Sequence, residues 1–270
     1  MPELPEVETT RRGIAPWLEG ETPQSVVIHN ASLRWPVPPE LAERLTAGAV
    51  TSVERRGKYL LLNNAGGTAL VHLGMSGSLR LSHPGEPRRK HDHVELELGK
   101  TRALRFHDPR RFGAWLWTPD WHRHTLLSTL GPEPLGDDFS GDYLYERSRG
   151  RRAPVKAFIM DARTVVGIGN IYASEALYGA GIHPGRPAGR VGRRRYRDLA
   201  EAIRQVLADA IELGGTTLRD FTDSGGNPGY FRLSLNVYGR GGEPCRSCGR
   251  HLRDRVIGQR STVFCTRCQR

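Results

Sequence analysis

Residues 245–268 read CRSCGRHLRDRVIGQRSTVFCTRC and hold all four cysteines of the 270-residue chain. Cys245 and Cys248 form one Cys-x2-Cys pair, Cys265 and Cys268 form a second, and 16 residues separate the two pairs. A four-cysteine zinc ribbon uses this spacing, because each pair supplies two thiolates from a tight turn and together they complete a tetrahedron. Two disulfides would satisfy the same count in an oxidising compartment, but the chain opens without a secretory pattern, and cytosolic thiols stay reduced. Four thiolates leave no open coordination position. One structural Zn2+ is therefore expected, stapling a hairpin that is too small to fold alone. HLRDRV and STVF would pair around the loop IGQR, which puts Arg260 near its tip.

Between Cys245 and Arg270 lie seven arginines and one acid, a formal +6 that a zinc–thiolate centre of −2 reduces to +4. Folding gives so small a module no reason to hold that many guanidiniums, and contact with phosphates does. The whole chain shares the bias, with a net charge of +11 and a pI of about 10.0. A polyanion is the expected partner, nucleic acid ahead of an anionic membrane surface. No apolar run approaches the roughly 20 residues that span a bilayer. The acidic start MPELPEVE is also unlike the basic start of a signal peptide, so a cytosolic protein with no membrane partner is expected. Of the 40 basic residues only Lys58, Lys90, Lys100 and Lys156 are lysines. In such an arginine-rich chain a lysine hints that a tunable amine is wanted, a hint that weighs most at Lys58.

Upstream, three regimes follow one another. After an opening helix, residues 22–118 show short strand-like runs broken by Gly, Pro and Asn: SVVIHN, SVERRGKYLLL, TALVHLG, VELEL, RALRF and FGAWLW. This is a β-sandwich or barrel pattern. The stretch 131–152 is rich in Gly, Pro and charge and reads as a linker. VKAFIMD, NIYASEALYGAG and YRDLAEAIRQVLADAIELGG then place apolar residues at three- and four-residue spacing, which predicts helices. Two modest domains fit the length.

In VVGIGNIYASEALYGAGIHP (165–184), Gly167 and Gly169 flank Ile168 and precede Asn170, which reads as the N-cap of a helix over 171–178. Tight glycine turns that expose N–H groups beside a helix N-terminus bind anions. Taken by itself a Gly-x-Gly is usually a mere turn, but Lys156 and Arg151–Arg152 lie close in sequence and favour phosphate. At the other end, Met1 precedes the small residue Pro2, so removal of Met1 would leave a secondary amine at the terminus. An α-amino group near pKa 8 is far more often unprotonated at neutral pH than a lysine. Its attack on a sugar C1′ gives an iminium ion, an electron sink that acidifies C2′ and favours loss of the 3′ phosphate. Glu3 and Glu6 flank this amine as candidate acid and positioning carboxylate. PELPE read alone favours the plainer alternative, a capped amphipathic helix with acidic residues at its N-terminus.

With these residues in view, the chain resembles the formamidopyrimidine-DNA glycosylase (Fpg or MutM) family from end to end. The likeness rests on MPELPEVET, RRGKYLLL, HLGMSGSLR, HDHVELEL, DPRRFGAWLW, GPEPL, VVGIGNIYASEALYGAGIHP, GGTTLRDF, NPGYF, VYGRGGEPC and STVFCTRCQ. It implies an α+β protein: an N-terminal β-sandwich framed by helices (1–135), a helix–two-turn–helix domain (136–234) and a C-terminal four-cysteine zinc-finger β-hairpin (235–270). It also implies that Pro2 is the nucleophile, Glu3 the glycosylase acid, Lys58 the group moving a proton in β-elimination and Arg260 the finger arginine of δ-elimination. Asn170 and its turn match the phosphate grip, and His91, Arg110 and Arg151 match further DNA contacts. Met75, Arg110 and Phe112 match the set that fills the gap left by an extruded base. Without the resemblance, Met75 and Phe112 would read as core. The segment 216–231 matches a loop that closes over the extruded purine, and Arg151 and Arg219 stand where the family pattern has lysine.

The implied activity is that of a bifunctional, monomeric DNA glycosylase/AP lyase of the bacterial cytoplasm and nucleoid. Its substrate would be double-stranded DNA containing oxidised purines such as 8-oxoguanine and formamidopyrimidines. Two alternatives stay open: an endonuclease VIII-type enzyme for oxidised pyrimidines, and a non-enzymatic DNA-binding protein in which Pro2, Glu3 and Lys58 have no role.

Overall fold

The computed structural model describes residues 1–215 and 235–270. The chain forms two compact units. One spans Met1–Thr129 and takes the chain up again at residue 213; the other spans Leu130–Glu212 and includes 235–270.

In the first unit, helix α1 (Leu4–Leu18) begins where Pro5 pre-sets the backbone of the first turn and Glu6 reaches back to the N–H of Glu3 at 2.8 Å. Strand β1 (Ser25–Ile28) and the short helix α2 (Leu41–Thr46) follow. Seven more strands complete two antiparallel sheets: β2 (Ser52–Arg56), β3 (Tyr59–Asn64), β4 (Gly67–His72), β5 (Ser78–Ser82), β6 (Asp92–Leu98), β7 (Arg102–His107) and β8 (Ala114–Thr118). One sheet runs β1-β6-β7-β5, the other β2-β3-β4-β8. A single buried cluster joins Leu60, Leu62 and Val71 of one sheet to Val94, Leu96, Leu104 and Phe106 of the other, with Val7, Ile14 and Leu18 of α1. The expected helix-framed β-sandwich is thus present. Leu61 and Leu70 point to the opposite face and are also buried, so β3 and β4 read as continuous apolar runs rather than alternating ones.

Two strand expectations change in the structure. SVERRGKYLLL, read as one strand, is a hairpin of β2 and β3, with Arg56 opposite Tyr59 and Gly57–Lys58 as its turn. Gly57 has φ +58°, which explains the break and sets Lys58 on a hairpin tip. Strand β5, with its Leu79/Leu81 alternation, adds a strand between the runs TALVHLG and VELEL.

The second unit contains α3 (Gly141–Ser148), α4 (Val155–Met160), α5 (Asn170–Gly179), α6 (Arg193–Glu212) and the hairpin β9 (Arg253–Ile257)/β10 (Arg260–Phe264). Helix α3 lies inside the stretch read as linker. Its polar composition is that of an exposed helix, and Ser140 Oγ caps it by accepting the Tyr143 N–H at 3.1 Å. None of the described helices is long and apolar enough to cross a membrane.

An arginine network around the buried Glu8 docks α1 on β2. Glu8 accepts from Arg11 at 2.9 Å, Arg12 at 2.9 Å and Arg55 Nε at 3.1 Å. Arg55 Nη1 in turn donates to the Gly57 carbonyl at 3.1 Å. Burial alone would raise the Glu8 carboxyl, but hydrogen bonds from Arg11 and Arg12 and the charges of Arg11 and Arg55 outweigh it and hold the group at about 2 against an ordinary 4.5. A carboxyl lowered on folding contributes stability that is present above its unfolded value and lost as pH falls through its folded one. Glu8→Gln should therefore lower the unfolding free energy by about 1–3 kcal/mol at pH 7, toward the lower end because the arginines are partly screened by solvent. The gap to wild type should close between pH 4.5 and about 2. Denaturant titrations at three pH values check this, and an unchanged gap would assign the loss to packing instead.

Candidate active site

Pro2 is buried at the head of α1, beside Glu3 with 3% exposure and Glu6 with none. Glu6, the expected positioning carboxylate, commits one carboxylate oxygen to the Glu3 main-chain N–H, and so fixes the turn that carries Pro2 and Glu3. Gly215, with φ +82°, passes so close that a Cβ there would lie 3.2 Å from Glu6 Cγ.

Lys58 sits half-buried on the β2–β3 turn, linked to α1 through Gly57, Arg55 and Glu8. Opposite the adjacent Tyr59, His72 closes β4, their rings 4.8 Å apart. Burial first, then the charges of Lys58 and Arg34, push the His72 imidazole down to about 4. Its neutral Nδ1 accepts the Gly74 N–H at 2.9 Å and so shapes the loop that carries Met75. The imidazole that shapes the Met75 loop thus feels the charge of Lys58.

Arg110 and Phe112 lie exposed on the β7–β8 loop, the guanidinium 4.9 Å from the ring centroid. Phe112 keeps 43% of its surface in solvent, which departs from core packing. His91 is half-buried, its ring 5.9 Å from that of His107, and its carbonyl accepts the Asp108 N–H.

In the second unit, Arg151 and Arg152 line an open depression of about 490 Å³ together with Arg190. Gly167 has φ +82°, and α5 begins directly after Gly169. Asn170 does not cap this helix as expected. It is the first helical residue, and its amide donates to the Ser261 carbonyl at 3.1 Å. Lys156, expected beside it as a phosphate ligand, is 1% exposed, and its ammonium donates to Thr262 Oγ1 at 2.7 Å. Both residues hydrogen-bond to strand β10. Arg260, the first residue of β10, is exposed and opposes Ile257 across the turn Gly258–Gln259, whose φ values are +57° and +62°. Two positive φ values make this a two-residue hairpin, tighter than the four-residue loop IGQR read from sequence.

The four cysteines converge, their sulfurs all within 4.8 Å of one another. Cys245–Cys268 and Cys248–Cys265 are 3.9 and 3.5 Å apart, against about 3.8 Å for the edge of a tetrahedron with Zn–S bonds near 2.3 Å. Burial and the surrounding sulfurs push the Cys268 thiol up, a crowding that one divalent cation relieves. The residues fit a single structural zinc, closed to catalysis, over a small core of Val237, Leu252 and Val263.

Three structural residues escaped the sequence reading. Glu8 is one. Glu175, 4% exposed on α5, accepts the N–H groups of Asn236, Val237 and Tyr238 at 2.8–2.9 Å and so anchors the entry to the finger. Asp108, with no exposure, accepts from Ser76 and Gly113. Acids inside apolar runs, as in SEAL, were the available signal. The loop 216–231 and Arg219 lie outside the described residues.

Comparison with known proteins agrees with this anatomy. The family model for the formamidopyrimidine-DNA glycosylase N-terminal domain matches residues 1–115, that for the H2TH domain of the same enzyme 130–222, and the zinc finger found in FPG and IleRS 242–270. A formamidopyrimidine-DNA glycosylase of Marinobacter nauticus is 60% identical over the full length of both chains. The crystal structure of the MutM (Fpg) protein from Thermus thermophilus superimposes with a TM-score of 0.89 at 41% identity, covering 99% of this chain and 98% of that one. A Lactococcus lactis Fpg mutant bound to Fapy-dG-containing DNA superimposes with a TM-score of 0.91 at 32% identity, covering 99% of each chain. With all three of its parts matched and full-length relatives at this identity, the chain belongs to the formamidopyrimidine-DNA glycosylase family.

Proposed function

We propose that this protein is a bifunctional base-excision-repair glycosylase and AP lyase that removes oxidised purines, 8-oxoguanine and formamidopyrimidines, from double-stranded DNA in the bacterial cytoplasm. The observation that carries the reading is the buried head of α1, where Glu6 pins the turn that bears Pro2 and Glu3. It stands in a chain whose full-length relatives are formamidopyrimidine-DNA glycosylases.

With Met1 removed, the Pro2 nitrogen bonds to C1′ as the bond to the damaged base breaks, and Glu3 supplies the proton as the sugar ring opens. The resulting iminium accepts the electron pair released when C2′ gives its proton to Lys58, and the 3′ phosphate then leaves. A second elimination, assisted by Arg260, expels the 5′ phosphate, and water frees Pro2. Met75, Arg110 and Phe112 fill the space of the extruded nucleotide: the ring and thioether wedge between bases, and the guanidinium pairs with the orphaned partner. Arg151, His91 and the 167–170 turn bind phosphates, and the zinc, when bound, supplies only the staple that presents Arg260. Lys156 and Asn170 act on DNA through that same hairpin, because they fasten β10.

A second substrate class has one observation in its favour. A wild-type Lactococcus lactis Fpg, 31% identical with a TM-score of 0.90, has been crystallised with DNA containing an oxidised pyrimidine. Excision of oxidised pyrimidines is therefore the competing reading.

Borohydride trapping on a duplex with one 8-oxoguanine opposite cytosine should give a covalent adduct that maps to Pro2, together with strand scission. Pro2→Gly should trap poorly, and Glu3→Gln should lose excision while still cutting a preformed abasic site. An adduct formed only with oxidised-pyrimidine duplexes would transfer the function to the second reading, and none on either duplex would leave a DNA-binding protein. Elemental analysis should find one zinc per chain. Cys265→Ser should lose that zinc and bind duplex DNA more weakly, whereas full duplex affinity without zinc would refute the finger's part in binding.

A further inference from the structure

Two loops of the first unit carry the three residues assigned to filling the space of the extruded base: 73–77 holds Met75, and 108–113 holds Arg110 and Phe112. Neither loop has regular secondary structure of its own, and Arg111, a non-glycine residue, sits at φ +56°. A side chain in that region is strained unless the surroundings fix it. One carboxylate bonds both loops. Asp108 has no exposed surface, and its Oδ1 accepts the Ser76 hydroxyl at 2.9 Å and the Arg110 N–H at 3.3 Å. Its Oδ2 accepts the Gly113 N–H at 2.8 Å. Its main-chain oxygen also accepts from Arg111 N–H and lies 2.8 Å from His93 Nε2, and its N–H donates to the His91 carbonyl. The loops touch: a Cβ on Gly74 would overlap Gly113 N and Phe112 C.

We propose that Asp108 is a positioning residue for base extrusion: by bonding Ser76 of one loop and Arg110 and Gly113 of the other, it makes Met75, Arg110 and Phe112 a single preassembled wedge. Extruding a stacked, paired nucleotide has a cost that filling the vacated space offsets, and the offset is complete only if the filling groups arrive in register. Three side chains on two independently moving loops would have to be ordered during each extrusion, and that ordering would slow the step. Buried acceptors shared by both loops remove it beforehand. This inference rests on the glycosylase reading above and adds a residue that touches neither DNA nor the reacting sugar.

The test compares single-turnover rates on three duplexes: 8-oxoguanine opposite cytosine, 8-oxoguanine opposite an abasic gap where pairing is already lost, and a preformed abasic site with no base to unstack. Asp108→Asn replaces an oxygen acceptor with an NH2 that opposes either the Gly113 N–H or the Arg110 N–H, whichever side it takes. It should slow excision from the paired duplex by roughly tenfold, the scale of one lost charge-assisted hydrogen bond. The loss should shrink opposite the gap and nearly vanish on the preformed abasic site. Ser76→Ala severs only the link between the loops and should show the same ordering with a smaller loss, which keeps the proposal testable if Asp108→Asn folds poorly. 2-Aminopurine beside the lesion should report slower unstacking in both variants. Equal losses on all three duplexes, or no loss on the paired one, overturn the proposal. A wild-type protein inactive on every duplex would overturn the glycosylase reading and this inference together.

Discussion

Asp108, Glu6 and Glu175 share one arrangement: a buried carboxylate that accepts main-chain N–H groups from a segment with no regular structure. The protein depends on it because its working residues stand on turns and termini, where neither helix nor sheet hydrogen bonding fixes the backbone. In a low-dielectric interior a charged acceptor forms short, strong bonds to such donors, and losing it leaves each donor orphaned. Every anchor therefore sets a position and makes its own replacement destabilising. Glu6 does this for the chain terminus, Asp108 for two loops, and Glu175 for the entry to the finger.

Arginine does the complementary work from the cationic side. Arg55 spans from Glu8 on α1 to the carbonyl of Gly57, so the helix that follows Pro2 and Glu3 and the turn that presents Lys58 share one ion-pair network. A planar guanidinium with several donors can bridge a carboxylate and a carbonyl at once, which an ammonium does less well. Lys156 shows the lysine alternative. Buried, it offers its ammonium to Thr262 Oγ1 and the Ser261 carbonyl, two oxygens of one strand, and so fastens the finger hairpin beneath Arg260.

The finger combines both ideas with a metal. Its core amounts to a few apolar residues around four convergent thiols, too little buried surface for independent stability. Zinc, the Glu175 anchor and the contacts from Lys156 and Asn170 make up the difference. The two-residue turn then projects Arg260 outward at the start of β10.

Residue type and spacing along the chain determined the zinc ligands, the basic finger, an all-β first half of sandwich or barrel type, the helical second half and the acidic, proline-started terminus. Each is a local pattern: a fixed spacing, a period or a composition. They did not determine that RRGKY bends into a hairpin tip at Gly57, because a glycine can continue a strand or end it, and the positive φ that ends it here is a property of the folded backbone. Nor could they show that Lys156 and Asn170 face the finger, that Phe112 stands in solvent, or that Asp108 ties two loops 32 residues apart in sequence. Those facts depend on which distant backbone groups each side chain meets after folding. A buried carboxylate and an exposed one look alike in a sequence, and tertiary structure alone decided which acids became anchors.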